Sequence, residues 1–267
     1  MSAARYSIGI DLGTTNSALA YAPLAGDAAP EALPIQQWET PETLAEMPML
    51  PSFLYLPEDA LAQQLREVPG GPQAWIVGRL ARRRAAEIPG RVVRSAKSWL
   101  CHHTADRAAP IMPWGSEDIG PDQKISPVRA SALILNYLRG VWNNRFADCA
   151  FDDQEVTVTV PASFDVAAQK LTLAAAEEAR FPGSVKLLEE PQAAFYCWLE
   201  QHPDAKPLWA ESAAQGVHSR HILVVDIGGG TSDFSLFEVQ PGASGSIPDI
   251  RRVPLLDQQR HWRRIAV

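Results

Sequence analysis

Ile8-Gly9-Ile10-Asp11-Leu12-Gly13-Thr14-Thr15-Asn16-Ser17 and Leu223-Val224-Val225-Asp226-Ile227-Gly228-Gly229-Gly230-Thr231-Ser232-Asp233 are two versions of one phrase. Each has an apolar strand, an aspartate at its end, a glycine turn with hydroxyl residues, and the start of a second strand. A tight glycine turn exposes successive backbone N–H groups, and these form a concave anion site. Glycine also lets the chain approach a phosphate without a Cβ in the way. The threonine and serine hydroxyls add donors. An aspartate beside a phosphate would repel it, so the pattern calls for a bridging cation. Magnesium suits that place, because it takes oxygen ligands, keeps several waters and often uses one or two carboxylates. Two such turns facing one another would hold a magnesium nucleotide from both sides. One Asp-x-Gly-Thr alone is also an ordinary turn, and it is the repetition after two apolar strands that points to phosphate. The chain has neither GxxxxGK[ST] nor a GxGxxG between strand and helix, which excludes the P-loop and the dinucleotide-binding fingerprint.

Outward from these turns, the spacing of apolar residues predicts an α/β layered fold. Ser126-Pro127 supplies an N-cap and a first-turn proline. Ala132, Leu133, Leu135, Leu138, Val141, Trp142 and Phe146 follow at helical spacing, so a helix is expected to about Ala147. Glu155 to Val160 alternates and reads as a strand, and Asp165 to Arg180 reads as a helix. A short strand over Val185 to Leu188 and a helix over Pro191 to Gln201 complete the alternation. Trp75 to Gly78 reads as a strand, Arg79 to Glu87 as a basic helix ended by Pro89-Gly90, and Val92 to Leu100 as a further helix. Proline-rich stretches, from Pro23 to Pro72 and from Pro110 to Pro127, read as loops or short edge strands. His202 to Ser219 is a polar linker, and Gln240 to Val267 has no assignable fold. Trp75, Trp99, Trp142 and Trp198 read as core or interface packing.

The length of 267 residues suggests two domains or lobes, and 46% hydrophobic residues suffice for a sizeable core. There are 24 basic and 31 acidic residues, a net charge of −7. That balance argues against non-specific nucleic-acid binding. Three scattered cysteines (Cys101, Cys149, Cys197) form no CxxC pair, so neither a zinc site nor a disulfide framework is expected. A reducing cytoplasm is the expected compartment. No signal peptide or membrane span is read, since no apolar run approaches the ~18 residues of a transmembrane segment.

Five motifs, in order, resemble the ATPase domain of the seventy-kilodalton heat-shock chaperones, the DnaK-like family. Ile8 to Ser17 resembles its first phosphate loop and Asp226 to Asp233 its second. Val156-Thr-Val-Thr-Val-Pro-Ala-Ser-Phe164 is similar to its strand-into-helix signature. Glu189-Glu190-Pro191-Gln-Ala-Ala194 is similar to its connecting segment, and Arg94-Ser-Ala-Lys97-Ser-Trp-Leu100 to the segment with its catalytic lysine. The resemblance implies an actin-like ATPase (ribonuclease H-like) fold, with lobe I complete and the first hairpin of lobe II. Residues 1–40 and 121–201 would be lobe IA, 41–120 a lobe IB insertion, 202–220 a linker, 221–239 the start of lobe IIA, and 240–267 an atypical tail. The implied ligands are ATP and Mg2+, and the implied activity is ATP hydrolysis that drives protein folding or remodelling.

Carried onto this sequence, the resemblance gives Lys97, Glu190 and Asp226 catalytic roles. Asp11, Gly13, Thr14, Thr15, Gly228, Gly229, Gly230, Thr231 and Asp233 would bind nucleotide, with Asp11 and Asp226 holding the metal through water. Co-chaperones, unfolded clients or a chain supplying further parts of the second lobe are the implied partners. Each residue also has a plainer reading: Lys97 on a solvated basic face, Glu190 in a first helical turn favoured by the dipole, Asp233 on a strand surface. The family's arginine in the helix after Pro161 is replaced, at the aligned position, by Gln169. The glycine- and aspartate-rich continuation after Val239 is replaced by Arg251 to Arg264, which reads as a truncation, split gene or frameshift. A non-hydrolysing nucleotide-binding or scaffold remnant, or another actin-like protein such as a sugar kinase or filament protein, are the alternative readings.

Overall fold

The computed structural model of the chain describes residues 4–65, 74–202, 219–228, 232–240 and 249–253. The chain divides into two units. The first comprises Met1–Val160 and Phe164–Leu187, the second Pro161–Ser163 and Leu188–Val267.

In the first unit, β1 (Tyr6–Asp11) lies between β2 (Asn16–Pro23), its antiparallel hairpin partner, and β10 (Glu155–Val160), which runs parallel to it. Period-two alternation puts Ile8 and Ile10 of β1 and Val156 and Val158 of β10 into the core. The sheet continues to β3 (Glu31–Ala32) beside β2 and to β11 (Lys186–Glu189) beside β10. Two helices pack with this sheet. α4 (Pro127–Arg145) starts where Ser126 accepts the Arg129 amide at 3.0 Å, and α5 (Val166–Glu178) starts where Asp165 accepts the Ala168 amide at 2.6 Å. The expected helix spacing is realised, since Leu135, Leu138 and Trp142 of α4 are fully buried in one core with the sheet residues. Burying each such leucine contributes about 1.5–3 kcal/mol, so Leu138→Ala in this core would cost about 2–5 kcal/mol.

The proline-rich region folds into short strands. β4 (Ile35–Thr40) and β5 (Thr43–Met47) form a hairpin, β6 (Leu50–Pro51) pairs with the start of β2, and β7 (Phe53–Tyr55) follows at once. After α1 (Asp59–Gln64), the strand β8 (Ile76–Val77) joins one side of β7 and β9 (Val92–Arg94) the other. Helix α2 (Arg79–Glu87) covers this small sheet with Leu80 and Ala81, packed with Tyr55, Ile76 and Val92.

The single helix expected over Val92 to Leu100 does not form. The segment is instead the strand β9, then Ser95 at φ 56°, then the single turn α3 (Ala96–Trp99). β-Branched Val92 and Val93 pair with Tyr55 and Leu54, and a residue in the left-handed region cannot continue a helix. Val92, Val93, Ala96 and Leu100 are all buried. Their combined spacing imitates a helical stripe that two different elements share.

In the second unit, α6 (Glu190–Gln201) begins with Pro191 in its first turn. β12 (Arg220–Ile227), β13 (Ser232–Gln240) and β14 (Asp249–Arg252) form an antiparallel sheet in that order. Phe237 and Val239 of β13 pack with Phe195 of α6, with Ile222, Val224 and Ile250 around them. The opposite face carries Leu223, Val225, Ile227 and Phe234, all exposed. β14 lies within the stretch whose sequence gives no fold.

Candidate functional site

The first phosphate-loop candidate is the turn Leu12 to Thr15 joining β1 to β2. Asp11 closes β1 with its carboxylate exposed. Its register neighbours are Ala18 in β2 and Thr159 in β10, and Thr159 Oγ1 donates to Asp11 Oδ1 at 3.1 Å. A Cβ on Gly13 would overlap the Asn16 carbonyl oxygen, a backbone atom that cannot move aside, so the turn needs glycine there. Ser52, between β6 and β7, holds the turn from its buried side. Its amide donates to the Thr15 carbonyl at 2.9 Å and its hydroxyl to the Gly13 carbonyl at 2.7 Å. Among the described residues, the amides of Gly13, Thr14 and Thr15 donate no backbone hydrogen bond. The turn therefore offers a run of donors around a glycine, which is the chemistry a phosphate takes.

Lys97 lies in α3 of the same unit. It is 6% exposed, whereas Arg94 before it is exposed. A solvated basic face therefore describes Arg94 and not Lys97. An ammonium at that depth is retained only with compensation.

The second candidate loop belongs to the second unit. Asp226 and Asp233 are register partners across the β12–β13 hairpin, so the two carboxylates stand on one face of one pair. Like charges directly opposite destabilise an antiparallel pair. A cation between them would remove that cost. Gly228 is the last described residue before the turn, while Gly229, Gly230 and Thr231 lie outside the described residues. Glu190 is the first residue of α6. Beside it, Glu189 accepts an ion pair from Arg252 of β14 at 3.5 Å, and Arg252 also donates to the Ala162 carbonyl at 3.0 Å.

Asp11, Gly13, Thr14 and Thr15 are thus brought together in one turn, and Asp226 and Asp233 in one strand pair. Three of the residues that make these contacts have no place in the site as the sequence reads. Ser52 sits in a proline-rich stretch that reads as loop, Arg252 in a stretch with no assignable fold, and Thr159 reads only as a strand residue. The signal available for Thr159 is the alternation itself, which puts Thr157 and Thr159 opposite the buried valines. Among the described residues no three His, Cys, Asp or Glu side chains cluster as a metal cage. The donors present fit a metal shared between a carboxylate, water and phosphate oxygens.

In the first unit, Asp165 has its carboxyl held below the usual aspartate range. The Ala168 amide that it caps is the main cause, and Arg107, at 3.5 Å, adds to it.

The chain has relatives among known proteins. Residues 72–245 match the family model described as Hsp70 protein. The chain belongs to the Hsp70 family. Among curated proteins it is similar to the chaperone protein HscA homolog of Photobacterium profundum, at 32% identity over 248 residues. A second relative is the chaperone protein HscA homolog of Bordetella pertussis, at 32% over 247 residues. Each match covers 89% of this chain and 33% of the relative. The chain spans about a third of the length of the curated relatives it matches. No helix among the described residues is long and apolar enough to cross a membrane.

Proposed function

We propose that this chain is a chaperone ATPase region of actin-like build that binds Mg-ATP at its two glycine hairpins and hydrolyses it. The observation that carries this reading is the turn Leu12 to Thr15. Its carbonyls at Gly13 and Thr15 are tied to Ser52, its glycine is sterically required, and an exposed aspartate stands beside it. Family membership supports the same reading.

In this proposal the amides and hydroxyls of Thr14 and Thr15 bind the β- and γ-phosphates from one side. Gly228, Gly229, Gly230 and Thr231 bind them from the other. Asp11 and Asp226 hold a magnesium ion through water, and the metal supplies charge neutralisation when bound. Lys97 orients the attacking water and stabilises charge at the γ-phosphate. Glu190 helps position that water, and Asp233 supports the surrounding water network. Positioning and electrostatics carry most of phosphoryl transfer, so buried Lys97 suits the task better than an exposed lysine would. The lobe division proposed is 1–40 with 121–201, an insertion over 41–120, a linker over 202–220, the start of a second lobe over 221–239, and the tail 240–267. Co-chaperones, unfolded clients, a chain supplying further parts of the second lobe, and a cytoplasmic setting belong to the same proposal.

Calorimetric titration with ATP, with and without magnesium, tests the binding part. Affinity that rises with magnesium is expected, and an indifferent titration would sink the reading. Steady-state turnover tests the chemistry. Lys97→Ala is expected to lower it by about 10²-fold or more while leaving binding largely in place. Equal turnover in the variant would remove Lys97 from the reaction.

A further inference from the structure

We infer that Ser52 is the positioning residue of the first phosphate turn, driven by a one-way hydroxyl relay from Ser17 through Ser52 to the Gly13 carbonyl. It rests on the phosphate-binding reading of that turn.

The direction of the relay follows from counting protons. A serine hydroxyl has one donor hydrogen. Ser52 spends its own on the Gly13 carbonyl at 2.7 Å. The contact of 2.9 Å between the Ser17 and Ser52 hydroxyls must then run from Ser17 to Ser52. Ser17 is fully buried and Ser52 is 2% exposed, so water does not compete for these bonds. The Ser52 amide takes the Thr15 carbonyl at 2.9 Å. One residue therefore grips two carbonyls of the turn, two positions apart, using a backbone donor and a side-chain donor.

The consequence for a ligand comes from peptide geometry. In a planar trans peptide the C=O of one residue and the N–H of the next point in opposite directions. Holding the Gly13 carbonyl toward Ser52 turns the Thr14 N–H away from it. The carbonyl oxygens, which would repel a phosphate, are kept on the inner side. Ser52 touches no ligand in this arrangement. It acts by deciding which side of the Gly13–Thr14 peptide faces outward. Its place is itself fixed by β6, where Asn16 pairs with Pro51 and Ser17 with Leu50.

The test uses the full chain with Ser52→Ala, Ser17→Ala and the double variant. Amide hydrogen exchange is followed at residues 12–15 without ligand, and ATP and adenosine binding are measured by calorimetry. Far-UV dichroism first confirms that each variant is folded. Ser52→Ala is expected to speed exchange in the turn about tenfold and to weaken ATP by a similar factor, the worth of one such bond, with adenosine unaffected. Ser17→Ala leaves the Ser52 donor in place and is expected to change either quantity by about two- to threefold at most. The double variant should be no worse than Ser52→Ala alone. Unchanged exchange in Ser52→Ala overturns the relay. Faster exchange with unchanged ATP affinity overturns its positioning role. If the unaltered chain binds no ATP, the phosphate reading of the site falls and the exchange data alone judge the relay.

Discussion

The two hairpins share a phrase of sequence but have different surroundings. The β1–β2 hairpin is an interior one: β1 has strands on both sides, and its turn is held by Ser52. β12 pairs with a single neighbour among the described strands, and one face of its hairpin, with Ile227 at 76%, is exposed. The aspartates differ accordingly. Asp11 faces Ala18 and receives a hydrogen bond from Thr159, whereas Asp226 faces Asp233. In both antiparallel pairs the aspartate lies at or near the end of the first strand, and the cross-strand neighbour decides what its carboxylate meets.

Gly13→Ala drives a Cβ into the Asn16 carbonyl, so a loss of about 1–3 kcal/mol is expected, measured as a lower midpoint of denaturant unfolding. A variant as stable as the parent would show that the first turn is as open as any surface loop.

A smaller effect sharpens the contrast between the aspartates. Asp226→Asn removes one of two facing charges, and without magnesium it is expected to stabilise the hairpin by a few tenths of a kcal/mol, up to about 1. Asp11→Asn has no facing carboxylate to relieve in its strand pairs and is expected to give no such gain. Thermal melts in chelator, one variant against the other, decide the point. Equal shifts would mean that the register difference is electrostatically silent.

The smallest effect concerns α5. The folded Asp165 pKa is lowered, so its charged form contributes stability above the ordinary aspartate pKa of about 3.9. That contribution is lost as the pH falls through the lowered folded value. Asp165→Asn, which can still cap, should lower the melting temperature slightly at neutral pH, and the difference should vanish in strong acid. A difference that grows on acidification would contradict the sign.

Much of the scaffold is legible in the sequence where local signals agree with tertiary packing. Ser126-Pro127 opens α4 at the predicted place, and the valine alternation of Glu155–Val160 gives β10 with the bounds it has in the fold. Asp165 caps α5 just before its first residue. Legibility ends where an element is too short to have a period of its own. Val92 to Leu100 divides at Ser95 because strand pairing with β7 outweighs a stripe that looks helical. Ser52 follows a proline in a stretch with no regular pattern, and its role exists only because β6 brings it to a turn far away in sequence. The candidate site is legible in its glycines and aspartates, whose chemistry is local. Ser52, Thr159 and Arg252 act through long-range hydrogen bonds that no spacing encodes.

The open face of β12 and β13 has a consequence for how the chain meets its solvent. Leu223, Val225, Ile227 and Phe234 are exposed, which keeps hydrocarbon in contact with water. Excluded salts such as sulfate raise the cost of that contact and urea lowers it. The medium will therefore act on this sheet before it acts on the sealed core around Trp142, and the salt chosen for storage sets how much of this face the chain can keep wet.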